Sequence, residues 1–103
     1  MTDRRMLEPA AEVLIYGVDS CEDTTRGREH LTAAGTPYRY VRLDEDDAAR
    51  QMVHAAGYFS TPVIVTPSGV IYMEPSDDEL DAIVAAGRQA LGLVDGGGDQ
   101  IGV

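Results

Sequence analysis

Val13-Leu-Ile-Tyr16 is apolar at every position, which is how a strand buried on both faces of a sheet reads. The reading places this strand over residues 12–16, with Gly17 freeing the backbone to turn. From Asp23 to Ala34 the residues favour helix, with a thin apolar stripe of Leu31, Ala33, Ala34 and the stem of Arg28. Gly27 interrupts that helix at a cost of ~1 kcal/mol against alanine, and is expected to let it approach the sheet closely. Gly35 and Thr36-Pro37 end it. Tyr38-Arg-Tyr-Val-Arg-Leu43 alternates and predicts a second, less buried strand, parallel to the first because a helix lies between them.

Asp44-Glu-Asp-Asp47 can cap a helix carrying Ala48, Ala49, Met52, Val53, Ala55 and Ala56 at helical spacing, stopped by Gly57. Thr61-Pro62 then opens the apolar run Val63-Ile-Val65, and Pro67-Ser-Gly69 turns it back into Val70-Ile-Tyr72, an antiparallel hairpin. Ser76-Asp-Asp-Glu79 has the capping-box pattern ahead of Leu80, Ile83, Val84, Ala86, Gly87, Ala90 and Leu91. The order is β-α-β-α-β-β-α, an α/β fold with a four-stranded mixed sheet and three helices. Residues 1–11 read as a loose lead-in, 12–92 as one domain, and 93–103 as a flexible glycine-rich tail.

Length permits one modest core in 103 residues and no second domain. A net charge of −10, from 18 acidic and 8 basic residues, repels polyanions and speaks against nucleic acid or an anionic membrane as partner. The acidity serves solubility or a docking face for a basic protein. No apolar run follows the two arginines near the N-terminus, as a signal peptide would require, and none is long enough to span a membrane. A single cysteine cannot form an intramolecular disulfide. The expectation is a cytoplasmic protein.

Cys21 is the one reactive atom placed where its surroundings could activate it. It stands after the first strand, where a helix begins, in a loop beyond a strand's carboxyl end, where α/β folds gather functional groups. A helix N-terminus offers unpaired N–H groups and a partial positive charge worth ~0.3–1 kcal/mol, up to ~2 when partly buried. Both favour thiolate. Glu22 and Asp23 oppose this: a carboxylate ~6 Å away at an effective dielectric of ~40 costs the thiolate ~1.4 kcal/mol, about one pKa unit. Arg26 and Arg28 offset part of that, and the Thr24 hydroxyl can donate to the sulfur. The alternative is a small buried hydrophobe.

The chain resembles a glutaredoxin, the small branch of the thioredoxin fold, over roughly residues 12–91. The landmarks are Tyr16-x-x-x-x-Cys21 after an apolar strand, Thr61-Pro62 opening another, and Ser76-Asp77 capping the last helix. Ile15-Tyr-Gly-Val-x-x-Cys21 is also similar to the arsenate-reductase-like branch, without that branch's longer chain and later arginines. The resemblance implies a nucleophilic Cys21 assisted by Thr24. It implies a cis Pro62 whose neighbour Thr61 offers backbone groups to a thiol substrate, with Ser20, Ser76 and Asp77 completing the thiol-binding surface. An ordinary trans proline at a strand entry is the other reading of Pro62, and a plain N-cap that of Ser76.

Departures narrow the chemistry. Thr24 stands where many members have a second cysteine, so the chain has no resolving thiol. Val18, Ser20, Tyr58, Phe59 and Ser60 occupy positions where members that bind glutathione often carry lysine, an aromatic residue, arginine or glutamine. The Cys-Gly-Phe-Ser pattern of cluster-carrying members is absent. What the resemblance implies is a monothiol thiol–disulfide oxidoreductase with no bound cofactor and no metal. Its substrates would be mixed disulfides of a low-molecular-weight thiol, glutathione or mycothiol-like, or protein disulfides. The rival expectations are a binding module of the same fold and a redox sensor read by a partner.

Overall fold

The computed structural model describes residues 12–90. The expected lead-in and tail, with Leu91 and Gly92, lie outside them. Seven elements follow in the expected order: β1 Val13–Gly17, α1 Glu22–Ala33, β2 Tyr38–Arg42, α2 Asp47–Ala55, β3 Val63–Val65, β4 Ile71–Met73 and α3 Asp77–Ala90. The strands form one mixed sheet in the order β2-β1-β3-β4. β1 runs parallel to β2, with Val13 opposite Tyr38 and Gly17 opposite Arg42. It runs antiparallel to β3, which pairs antiparallel with β4.

The unbroken apolar run of β1 is explained by its central place. Val13 and Ile15 pack with Ile64 against Leu31 of α1 and Leu80 and Ile83 of α3. Leu14 and Tyr16 face the other way, packing with Val63 and Val65 against Ala49 and Val53 of α2. Side chains alternate between faces along a strand, so one strand supplies both halves of the core. β2, at the sheet edge, is only partly buried, as its alternation predicts.

Caps fix where the helices start. Asp46 accepts from the Ala49 N–H at 3.0 Å and opens α2. Ser76 and Glu79 make the reciprocal capping box of α3, the Glu79 N–H donating to Ser76 Oγ at 3.2 Å and the Ser76 N–H to Glu79 Oε1 at 2.9 Å. The hairpin return starts at Ile71 rather than Val70, because Val70 still belongs to the turn that its N–H closes onto Thr66 Oγ1 at 3.1 Å.

The buried face of α1 differs from the expected stripe. It consists of Thr24, Gly27 and Leu31, spaced for one helix face, while Ala33 is exposed and Arg28 lies over the Tyr40 ring, 4.1 Å from its centroid. Small residues bring α1 onto the sheet, yet Gly27 is not the tight point. A Cβ there would sit 3.7 Å from Ile64 Cδ1 and 3.8 Å from Leu80 Cδ2, ordinary contact distances. The tight point is Gly17, where a Cβ would fall 2.6 Å from Thr24 Oγ1 and 2.7 Å from Thr24 Cγ2.

Two alanine substitutions therefore diverge. Gly27→Ala should stabilise the domain by about 1 kcal/mol through helix propensity and a filled contact. Gly17→Ala should destabilise it by about 1–3 kcal/mol through overpacking against Thr24. Urea unfolding monitored by circular dichroism measures both, and destabilisation by Gly27→Ala would contradict the open space beside it.

Candidate active site

Cys21 is the N-cap residue of α1. Its extended backbone (φ −88°, ψ 122°) precedes Glu22, its side chain makes no capping bond, and its N–H closes a turn onto the Val18 carbonyl at 3.1 Å. The thiol is partly exposed. It donates to the Thr61 carbonyl, 3.6 Å from sulfur, across forty residues of chain. The Thr61–Pro62 peptide bond is cis, and buried Pro62 leads directly into β3. Fold topology thus brings the cysteine loop and the Thr-Pro segment together at one end of the central strands.

Electrostatics at the sulfur favour thiolate. Burial pushes the Cys21 thiol up, but the Thr61 hydroxyl, the Thr24 N–H and hydroxyl and the Asp23 N–H outweigh it and bring the thiol below its ordinary value. These donors stabilise the charged form. Thr24 is fully buried, and its hydroxyl has no hydrogen-bond partner among the described residues. Leaving a buried hydroxyl unpaired costs ~1–3 kcal/mol.

The other predicted residues fall into two groups. Ser20 is exposed in the loop before Cys21. Ser76 spends its hydroxyl and N–H on the capping box. Asp77, at the start of α3, is paired with Arg26 of α1, Oδ1 to Nη1 at 2.7 Å, and Arg26 also donates to the Pro75 carbonyl at 3.1 Å. One turn further along both helices His30 Nε2 lies 2.9 Å from Asp81 Oδ1. These contacts tie the helix that carries the cysteine to the last helix. Arg26 pairs more closely with Asp77 than with Asp23, which lies 3.7 Å away.

Asp19 was not anticipated. Its carboxylate accepts from the Tyr40 hydroxyl at 2.8 Å and forms ion pairs with Arg42 Nη2 at 3.0 Å and Arg28 Nη1 at 3.9 Å. Arg28 also donates to the Tyr38 hydroxyl at 3.3 Å. The cysteine loop is thereby fastened to the edge strand. In the sequence, Tyr38, Tyr40 and Arg42 at every second position of β2 are the only trace of this, because they share one face. Burial, and then the Asp19 carboxylate, push Tyr40 up to about 12. Among the described residues no group of metal-ligating side chains is assembled, and no helix is long and apolar enough to cross a membrane.

Two predictions follow from this geometry. Thr24→Val removes an unpaired buried hydroxyl and a thiolate donor together. Stability should hold or rise by up to about 1 kcal/mol, while the Cys21 pKa, read from the pH dependence of alkylation, should rise. An unmoved pKa would remove Thr24 from the site. The raised Tyr40 pKa favours the neutral phenol in the fold. Its stabilisation is complete below the unfolded value of ~10 and is lost as pH climbs through about 12. Tyrosinate absorbance should show a late-titrating group that Tyr40→Phe abolishes; Tyr16 is also raised, mainly by burial, so the variant makes the assignment.

No protein-family model matches the sequence, and no curated protein matches it. Solved structures do. The glutaredoxin-like protein NrdH-redoxin from Escherichia coli superposes with a TM-score of 0.64 at 16% identity, covering 68% of this chain and 91% of its own. A glutaredoxin from Archaeoglobus fulgidus gives 0.59 at 21% identity, covering 71% and 85%. The thioredoxin-like protein BC3987 gives 0.62 at 20% identity, covering 70% and 99%. At these identities the likeness is one of fold.

Proposed function

Because this chain has the glutaredoxin-like form of the thioredoxin fold, we propose that it is a monothiol thiol–disulfide oxidoreductase working through Cys21. The observation that carries the reading is the thiol at the α1 N-terminus, held below its ordinary pKa and facing Thr61 at 3.6 Å. The Cys21 thiolate attacks one sulfur of a mixed disulfide. A Cys21–substrate disulfide forms and the other sulfur leaves as thiolate with the bonding electron pair. A second thiol, from a low-molecular-weight thiol of the glutathione or mycothiol kind, then attacks that disulfide and restores the Cys21 thiolate. Each step is an exchange, so no second protein cysteine is needed.

Thr61 supports this role because its carbonyl already meets the sulfur, so an extended substrate segment beside Pro62 would lie next to the reacting atom. Thr24 contributes its hydroxyl to the thiolate. Asp77, locked by Arg26, and the exposed Ser20 stand at the margins, where the amino end of a small thiol could be met. Nothing in the chemistry calls for a metal or a bound cofactor, and a cytoplasmic setting, where thiols are kept reduced, suits a free thiol of this kind.

Steady-state assay of the wild-type protein and Cys21→Ser on mixed disulfides of several low-molecular-weight thiols tests the proposal. Turnover by wild type and none by Cys21→Ser is expected. The pH–rate profile should bend below the ~8.5 of an unperturbed cysteine. A wild-type thiol titrating at or above that value, with no turnover on any substrate, would favour the binding module instead.

A further inference from the structure

We propose that the Cys21 face docks a cationic protein segment, whose apolar side chain seats on Phe59 and Met73 and whose positive charge faces Glu22 and Glu74. The inference rests on the thiol–disulfide reading of Cys21 and names its substrate class. Phe59 is 72% exposed and Met73 45%. Both are attached to the segment that meets the thiol: Phe59 precedes Thr61 by two residues, and Met73 pairs with Val63, the residue after Pro62. Phe59 is held in place, its ring stacked on His54 of α2 with centroids 5.1 Å apart. Met73 lies on the sheet face that α2 covers, at the outer edge where β4 has no further strand. Exposed apolar side chains gain when a partner removes them from water.

Charge decides what that partner is. Arg26 is engaged by Asp77 and the Pro75 carbonyl, and Arg28 and Arg42 by Asp19. Glu22 and Glu74 are exposed and enter no ion pair among the described residues. Glu22 directly follows Cys21. The Glu74 N–H donates to the Pro62 carbonyl at 2.9 Å, and its backbone holds a left-handed φ of 51°, a conformation that is uncommon outside glycine. The acid that follows Cys21 and the acid whose backbone meets Pro62 are thus both uncommitted among the described residues. A second copy of this chain, at net −10, would be repelled. A cationic segment is drawn in, and complementary charge acts mainly on the rate of encounter.

In the docked pair the Cys21 thiolate attacks the segment's cysteine sulfur in a mixed disulfide. The Cys21–segment disulfide forms, Cys21 sulfur is oxidised, and the displaced thiol leaves reduced with the electron pair. The probe is a set of short peptides, each with one cysteine activated as its thiopyridyl disulfide, so that thiopyridone release reports the step. The peptides cross flanking lysines against glutamates, and an adjacent leucine against serine.

The lysine peptide with leucine should react about tenfold faster than its glutamate counterpart at low ionic strength. That ratio should fall toward unity in about 0.5 M salt and in Glu22→Gln combined with Glu74→Gln. Leucine over serine should be worth about threefold, an advantage that Phe59→Ser removes. Ratios between peptides are blind to the ionisation of Cys21, which is common to both. Equal rates for all peptides, above that of free cysteine, would overturn the docking proposal and leave the exchange reading standing. Rates no better than free cysteine for every peptide would overturn both. A charge preference that survives the double glutamine variant would overturn the assignment to Glu22 and Glu74.

Discussion

The closest packing at the site is that of Thr24 on Gly17. With a side chain at position 17 the first turn of α1 would be forced outward, since a Cβ would overlap the Thr24 side chain. The contact joins the end of the central strand to the start of the helix, and Cys21 lies in the short loop between them. Because β1 is buried on both faces by two separate halves of the core, this loop is anchored to a fully buried inner strand of the sheet. Preorganisation of this kind is what lets a few weak donors shift a thiol.

Around that anchor the charges are sorted. Cations that could have neutralised the acids beside the thiol are drawn off in two directions, Arg26 to the last helix and Arg28 and Arg42 to Asp19. Exposed pairs such as these contribute only ~0–1 kcal/mol each to stability. Their consequence is positional: they fasten the cysteine loop and α1 while leaving the rim of the site acidic. The thiol therefore owes its lowered pKa to short-range donors from Thr61, Thr24 and Asp23 rather than to a neighbouring positive charge.

The Thr24 hydroxyl is buried and unpaired among the described residues. A buried donor without a partner is tolerated at a cost to stability. Sites of this sort trade some fold stability for a function-bearing state.

Amino-acid order alone determined the elements, their sequence and the candidate for a reactive group. The continuous apolar run at 13–16, the capping box at 76–79 and the Thr-Pro at 61–62 are local patterns, and local patterns are what period and cap chemistry encode. The direction of the thiol's shift was not readable, because opposing terms of similar size depend on distances that the chain's order does not contain. Nor was the buried face of α1, where threonine and glycine rather than alanine meet the sheet. Tertiary structure decided which partner each arginine took, since Asp77 lies 51 residues from Arg26. It also decided that Asp19 is fastened to Tyr40, 21 residues away. Such pairings join side chains from different elements, and only the packing of those elements sets their distance.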